Sequence, residues 1–335
     1  MDAESLLRVL RKPLDALLGA EQRVFLPFLV TAAVIAAVVW ALRVRPRTSL
    51  GEYLFTRRVW LHRSSLLDAQ VILVRGLFGV ALVVPVFLST IGVAVVVMRN
   101  LRHAFGVPTL SWSPGAVMLT FTAIAFLADD FTRYVVHRLM HRVPALWELH
   151  KVHHSAQVLT PFTLQRVHPL EGLAMAVRLT VTLGIVTGVF VWLFPGKVRG
   201  YEVLGVDAIG FAFAALGANL RHSHVWLSYG PWFERIAISP AQHQVHHSVD
   251  PQHHDRNYGA ALAVWDWVFG TLYVTKGYER IVFGLNETES NHEDRIVSVL
   301  VDPVVAALRA LVPSRMLKRL KAGAPAAGQS PPRSS

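Results

Sequence analysis

The amino-acid sequence predicts an all-α, polytopic membrane protein with about four to six spans and a cytoplasmic helical cap rich in histidine. The 335-residue chain is 53% hydrophobic and 16% charged, whereas a soluble domain usually carries about 25% charged residues. The apolar residues form long runs, and most of the histidines lie in short bursts beside them. Two soluble domains would also suit the length, but these runs disfavour that alternative.

Five apolar runs predict the spans. They cover residues 24–42, 69–98, 115–128, 173–194 and 203–220. A helix rises about 1.5 Å per residue, so about 20 residues cross the core of a bilayer. The second run is either one tilted span or a broken pair. The third run is short, and we expect its helix to continue into the first histidines.

The two ends of the chain differ from the apolar runs in their residue pattern. Residues 1–23 have leucines at helical spacing and predict an amphipathic helix. Residues 301–321 predict a second, basic amphipathic helix, which we expect to lie on the anionic inner leaflet. From Gly323 onward the Ala, Gly, Pro and Ser composition predicts a disordered tail.

Basic residues predict the orientation. The net charge is +11, and nucleic-acid binding is one interpretation of it, but the basic residues flank apolar runs. The 43–63 loop carries six arginines and the 99–114 loop carries two, which places the first loop in the cytoplasm. Alternation then puts every histidine cluster inside and, for five spans, the N-terminus outside. The excess of arginine over lysine favours a GC-rich bacterial genome and hence a bacterial inner membrane.

Eight histidines fall into three groups with helical spacing. The groups are His137 and His141; His150, His153 and His154; and His243, His246 and His247. Residues three or four apart lie on one face of a helix, so the rings of each group can close on a metal. Eight imidazoles exceed the ligand set of one ion and suit two ions with four or five ligands each. His222, at the end of the fifth run, is a ninth candidate.

Other features narrow the choice of metal. Any single histidine is more often an ordinary surface or core residue, but three groups of one geometry on one side of the membrane favour a metal centre. The chain has no cysteine, which excludes iron–sulfur clusters and disfavours structural zinc. The first group reads H-R-L-M-H and lacks the glutamate of the zinc protease motif. Iron fits imidazole sites that keep positions open for O2.

The histidines belong to longer motifs. These are Asp130-Phe-Thr-Arg-Tyr134-Val-Val-His137-Arg-Leu-Met-His141, Trp147-Glu-Leu-His150-Lys-Val-His153-His154-Ser155, His222, Ser239-Pro240-Ala-Gln-His243-Gln-Val-His246-His247, Asn257-Tyr258-Gly259, and Trp265-Asp266 with Phe269-Gly270-Thr271. Through them, roughly residues 65–275 resemble the fatty acid hydroxylase/sterol desaturase superfamily of integral-membrane, non-haem di-iron enzymes.

The resemblance implies two iron ions, O2 as co-substrate, a membrane lipid substrate and a separate electron donor of the ferredoxin or cytochrome b5 type. It implies that the nine histidines of the motifs are metal ligands. Asp130, Asn257 and Asp266 could orient imidazole N–H groups, although helix-cap and turn roles fit them equally well. His168 is a further candidate for the surroundings of the metals.

The same resemblance divides the chain into three parts. Residues 1–64 hold the N-terminal amphipathic helix, the first span and the basic loop. Residues 65–275 form the hydroxylase-like catalytic domain, and residues 276–335 hold the C-terminal amphipathic helix and the tail.

Three functional hypotheses remain open at this point. The first is O2-dependent hydroxylation of a lipid C–H bond, in a fatty acyl chain, a sterol or a related substrate. The second is a desaturase that uses the same dimetal centre, and only product masses separate it from the first. The third is a membrane metal-binding or lipid-scaffold protein without enzymatic activity, for which loss of a histidine would lower the metal content alone.

Overall fold

The computed structural model of the chain describes residues 25–45, 47–199, 202–203, 206–286 and 295–312. It leaves aside the side chains of residues 75–88, 202–203 and 206–207. The predicted amphipathic helix over residues 1–23 and the tail from Gly323 lie outside the described residues.

Three helices in the described residues are long and apolar enough to cross a membrane, namely Leu26–Val44, Pro114–Arg142 and Pro169–Leu193. The first consists of α1 (Leu26–Val39) and a π-helical turn at Trp40–Val44. These helices agree with an integral membrane protein, as the apolar runs predict.

The basic loop after α1 contains two short helices, α2 (Leu50–Leu54) and α3 (Arg57–Trp60). Ser49 begins α2 with a capping box, in which its hydroxyl accepts from the Glu52 N–H. The chain then enters α4 (Arg63–Phe105), a continuous helix of 43 residues. The apolar run over residues 69–98 is therefore one helix rather than a broken pair.

The first two histidine groups lie on consecutive helices. The third apolar run belongs to α5 (Pro114–Arg142), which continues into the histidines as the sequence predicts. Val143 breaks the helix, and α6 (Pro144–His154) begins with a proline in its first turn, where the missing N–H costs nothing. The break lets α6 turn back along the end of α5, so that both histidine groups face the same space.

The fourth run forms α7 (Pro169–Leu193), which packs closely on α4. Two glycines make this approach possible. A Cβ at Gly184 would lie 2.6 Å from the Val93 Cβ, and one at Gly188 would lie 2.6 Å from the Ala94 carbonyl oxygen. A larger residue at either position would force the two helices apart.

The prediction of a fifth spanning helix over residues 203–220 is wrong. The run contains the two-residue strands β1 (Glu202–Val203) and β2 (Val206–Asp207), then α8 (Ala208–Ala215) and a 3₁₀ turn at Ala218–Arg221. Eight residues of helix reach only about 12 Å, and Gly217, in a left-handed conformation with φ +91°, separates this helix from the 3₁₀ turn. The apolar side chains instead cover α1, where the Phe28 and Phe211 rings lie 5.0 Å apart. The segment still delivers His222 to the other histidines.

Residues 223–277 form short helices and turns, as predicted, and we name this region the cap. Its cytoplasmic location stays a prediction. Its helices are α9 (Gly230–Phe233), α10 (Pro240–His246) and α11 (Val264–Val268). The C-terminal amphipathic helix is α12 (Ile296–Leu311), which begins five residues before the predicted start; residues 313–321 of the prediction lie outside the described residues. It packs on α6 and α4, with Val299 in one cluster with Val152 and Leu67.

Candidate metal centre

The fold gathers all nine predicted histidines into two adjacent groups. One group contains His137, His141, His150, His154 and His246, and the other contains His153, His222, His243 and His247. Within each group the candidate ligand nitrogens lie within 4.8 Å of one another. The side chains come from the end of α5, from α6, from the turn after α8 and from α10. The sequence identified every member, although His222 was expected at the end of a span.

The groups divide the histidine triplets differently from the sequence prediction, which placed each triplet on one helical face. On α6, His150 and His154 join the first group while His153 joins the second. On α10 the doublet His246-His247 is split in the same way. The side chains of neighbouring residues on a helix point about 100° apart. A histidine doublet that lies between two sites can therefore contribute one ring to each site.

Four of the rings have a fixed tautomer. The Nδ1–H groups of His137 and His246 donate to the carbonyl oxygens of Tyr258 and Arg256, both at 2.8 Å. The His153 Nδ1–H donates to the Arg166 carbonyl at 3.3 Å, and the His150 Nδ1–H donates to a Glu171 carboxylate oxygen at 2.9 Å. These oxygens can only accept, so each Nε2 keeps its lone pair for a metal.

The nitrogen atoms that face the centre of each group fit a metal ion. Several nitrogen atoms of these rings are buried and have no hydrogen-bond partner among the described residues: His141 Nε2, His154 Nε2, His246 Nε2, His243 Nδ1 and both nitrogens of His247. Such atoms are costly unless something binds them.

Distances between facing nitrogens support the same fit. The Nε2 atoms of His137 and His150 lie 3.1 Å apart, and the Nε2 atom of His222 lies 3.2 Å from that of His153 and 3.1 Å from that of His243. Two ligands bound at right angles to one ion at about 2.1 Å would lie about 3.0 Å apart.

Burial holds these imidazoles in the neutral form that binds metal. It lowers the pKa of His150 to about 3 and that of His153 to about 4. Burial, and then repulsion from neighbouring histidines, lowers the pKa of His154, His243 and His247 well below the ordinary value of 6.5. The neutral rings can therefore take up metal without first releasing a proton.

We expect acid to destabilise the metal-free protein. The unfolded chain protonates these histidines below pH about 6.5, while the folded chain leaves His150 and His153 neutral down to about pH 3 and 4. The unfolded state then binds more protons, so the free energy of unfolding falls as the pH drops from 6.5. Thermal melting of chelator-treated protein in detergent at pH 7.5 and pH 5.5 measures the effect, and an unchanged melting temperature would contradict it.

Glu171 is part of the site and was missed by the sequence analysis. It lies in the first turn of α7, is 4% exposed, and receives the His150 Nδ1–H. A carboxylate at the start of an apolar run was the available signal, but nothing local links it to His150, 21 residues earlier. Carboxylate partners of this kind fix the ring and raise its basicity.

Replacing Glu171 with glutamine is expected to weaken metal binding in the first group by about 10- to 100-fold, because a neutral amide polarises the His150 ring less. Competition with a chelator measures the affinity of each group. The control is Glu148→Gln on α6, where the carboxylate pairs with Lys151 and with none of the nine histidines. If both substitutions changed the metal affinity equally, Glu171 would have no specific role in metal binding.

The predicted orienting residues act on a loop rather than on imidazoles. Asp266 accepts from the N–H groups of Tyr258 and Gly259 at 2.8 and 2.7 Å, and so holds the Tyr258 carbonyl that receives His137. Asp130 accepts from the Ala261 N–H and from the Trp265 Nε1–H. The two carboxylates therefore position the loop that carries the N-Y-G motif.

Local contacts and backbone geometry explain two residues of the N-Y-G motif. Asn257 adopts φ +56°, donates to the Gln242 carbonyl at 3.1 Å and accepts from the Tyr273 N–H at 2.8 Å. A Cβ at Gly259 would lie 2.5 Å from the Leu262 carbonyl oxygen, so only glycine fits there.

His168 has a structural role. Its Nδ1 accepts from the Leu170 N–H at the start of α7, and its Nε2 contacts the Leu300 carbonyl at 3.0 Å. It ties α12 to α7, and neither metal group includes it.

A cavity of about 270 Å³ adjoins the first group. His141, His154 and His246 line its inner end together with Trp147. Its outer part is formed by cap residues that include His254 and Asp255. The first group therefore borders a cavity that cap residues also line.

Comparison with known proteins agrees with this geometry. The fatty acid hydroxylase family model matches residues 122–271, the segment that carries all nine histidines. No solved structure gives a significant match to the chain.

Several characterised relatives are similar to this chain. Human alkylglycerol monooxygenase is 31% identical over 50% of this chain and 34% of its own length. The ornithine lipid hydroxylase OlsE of Rhizobium tropici is 28% identical over 48% and 44%, and a Δ(7)-sterol 5(6)-desaturase of Eremothecium gossypii is 30% identical over 55% and 46%. The chain thus spans less than half the length of each of these relatives.

These matches confirm the resemblance drawn from the histidine motifs. Residues 122–271 match the fatty acid hydroxylase family model, and the similar proteins are by name monooxygenases, hydroxylases and desaturases, all oxidoreductases.

Proposed function

We propose that this protein is an O2-dependent lipid hydroxylase of the sterol desaturase type, with two iron ions held by the nine histidines. The observation that carries the proposal is the pair of all-imidazole groups, one of five rings and one of four, in which all rings but those of His137 and His141 are buried and several Nδ1 protons are donated to acceptors outside the groups. Iron bound there would supply the activation of O2 and the oxidation of a C–H bond.

The chain's own residues then do three things. Backbone carbonyls and Glu171 turn the Nε2 atoms inward, which fixes where a metal can sit. Asp266 and Asp130 keep the Tyr258 loop in place. Burial of the rings excludes bulk water, which protects an oxidising site from side reactions.

The overall reaction needs a partner. Hydroxylation consumes one O2, one C–H bond, two electrons and two protons and yields an alcohol and water. The chain has no cysteine for an iron–sulfur cluster, so we propose a separate ferredoxin or cytochrome b5-type electron donor. The proposed setting is a bacterial inner membrane, with the metal site on the cytoplasmic side. Residues 1–64, 65–275 and 276–335 form the proposed membrane-entry, catalytic and tail regions.

Desaturation is the second candidate, because one of the similar proteins is a sterol desaturase. The same site would remove two hydrogen atoms and, with two electrons from the donor and two protons, release both oxygen atoms of O2 as two water molecules.

Lipid mass spectrometry of cells that express the chain under O2 tests the proposal. A lipid that gains one oxygen atom supports hydroxylation, and one that loses two hydrogen atoms supports the desaturase. His154→Ala serves as the metal-site control and is expected to abolish either product. A metal-loaded protein without any O2-dependent lipid product would favour the non-enzymatic alternative and overturn the proposal.

A further inference from the structure

Two short cap helices leave an apolar surface uncovered. We name it the ledge, and it consists of Trp232, Phe233 and Ile236 at α9 together with Trp267, Val268 and Phe269 at the end of α11. These side chains are between 45% and 81% exposed. Patches of large apolar residues of this kind mark interaction surfaces.

Backbone contacts join the two parts of the ledge. The Ala263 N–H donates to the Ile236 carbonyl at 2.8 Å, and the Ile238 N–H donates to the Ala261 carbonyl at 2.9 Å. The Trp267 N–H then donates to the Ala263 carbonyl, and the Ala237 N–H donates to the Phe233 carbonyl. Both helical turns therefore adjoin one antiparallel bridge, which pairs Ala237 with Leu262.

Contacts between the ledge segment and α5 indicate the position of the ledge along the membrane normal. Asp130 binds the Ala261 N–H at 2.8 Å, and the ring of Phe131 lies 4.9 Å from that of Trp265. The ring of Phe269 stacks on Tyr134 at 5.5 Å. The segment 261–269 is therefore level with residues 130–134 of α5, about 5–10 Å nearer the membrane than His137 at 1.5 Å per residue.

Those residues of α5 lie where the span leaves the hydrocarbon. A bilayer core takes about 20 residues of helix, so a span that starts at Pro114 reaches the far boundary close to Arg133. An apolar surface at this level meets lipid rather than water. Tryptophan is the side chain favoured at this boundary, and the ledge exposes two.

Two arginine side chains beside the ledge also suit contact with a lipid leaflet. The Arg138 guanidinium lies 5.9 Å from the Phe269 ring, one helical turn above Tyr134 on the side of the metal groups. Arg235 lies 5.8 Å from the Trp232 ring. Arginines beside interfacial aromatic rings suit lipid phosphates, whereas the rings and Val268 suit acyl chains.

From this placement we propose that the ledge is inserted into the leaflet on the side of the metal centre. The cap is then not a purely aqueous domain, because its α9–α11 edge rests in lipid beside α5. The proposal concerns membrane contact only and does not depend on the metal or on the reaction.

Spin labelling can test this, since the chain has no native cysteine. Full-length Val268→Cys and Trp232→Cys are labelled in lipid nanodiscs, and collision rates with O2 and with a water-soluble nickel chelate are compared. Val177→Cys, 53% exposed within the α7 span, calibrates lipid, and Gln252→Cys, exposed at a polar turn of the cap, calibrates water.

The ratio of O2 to nickel collisions at both ledge positions is expected to approach that of Val177→Cys and to exceed that of Gln252→Cys. If the collision ratios at the ledge equalled that of Gln252→Cys while Val177→Cys kept a ratio typical of lipid, the insertion of the ledge would be wrong although the spans are inserted. Labels shielded from both reagents would also overturn it, because they would indicate a covering protein such as a second copy of the chain.

Discussion

Replacing His246 with alanine is expected to remove one of two bound metal ions, and replacing His243 is expected to remove the other. The two residues lie one turn apart on α10 but belong to different groups. Each substitution deletes one imidazole from a group whose remaining members still face a buried space, and a metal ion there would lack a ligand. Elemental analysis of each purified variant gives the metal-to-chain ratio, and any lipid product is expected to disappear in both.

The matched control is His254→Ala. His254 lines the outer cavity, is exposed, and contacts the Val249 carbonyl rather than either group. Its loss is expected to leave the metal content unchanged. If His246→Ala retained both ions, or if His254→Ala lost one, the division of the site into groups of five and four would be wrong.

Replacing Asp68 with alanine is expected to lower the free energy of unfolding by about 3–5 kcal/mol, because it leaves the Arg166 charge buried without its counter-ion. Arg166 is 1% exposed, lies 3.3 Å from the Asp68 carboxylate, and donates to Ser155 on the last turn of α6 at 2.7 Å. Its backbone carbonyl receives the His153 N–H. The substitution should therefore also weaken the second metal group, and thermal melting in detergent with metal analysis measures both effects.

The exposed pair of Arg142 and Asp255 provides the comparison. The side chains are 53% and 44% exposed at 3.4 Å, and water screens their attraction. Arg142→Ala is expected to cost less than about 1 kcal/mol. A similar loss of stability in the two variants would show that the Asp68–Arg166 pair does not anchor the site.

The sequence predicts the composition of the site well, because local spacing decides which side chains share a helix. It predicts the nine histidines that the fold brings together and the continuation of α5 into the first pair. It cannot predict how the triplets divide, since that depends on the direction from which α10 meets α6. Glu171 escaped for the same reason: its hydrogen bond to His150 joins two helices.

Apolar runs are weaker guides than histidine spacing. Residues 203–220 are as apolar as a span, yet they form a short helix against α1, since burial against protein and burial in lipid favour the same side chains. The ledge is the converse case. Trp267 lies in the segment predicted as a cytoplasmic cap, and the contacts of Asp130 and Phe131 carry the proposal that it lies at the level of the membrane.

The most direct test of the central claim is the metal-to-chain ratio of protein purified in nanodiscs from iron-replete cells, measured together with O2-dependent oxidation of lipid by the same sample. We expect two iron ions per chain, and a product whose yield falls in proportion as iron is withdrawn. A protein that oxidises lipid with a single metal ion, or with no iron, would contradict it.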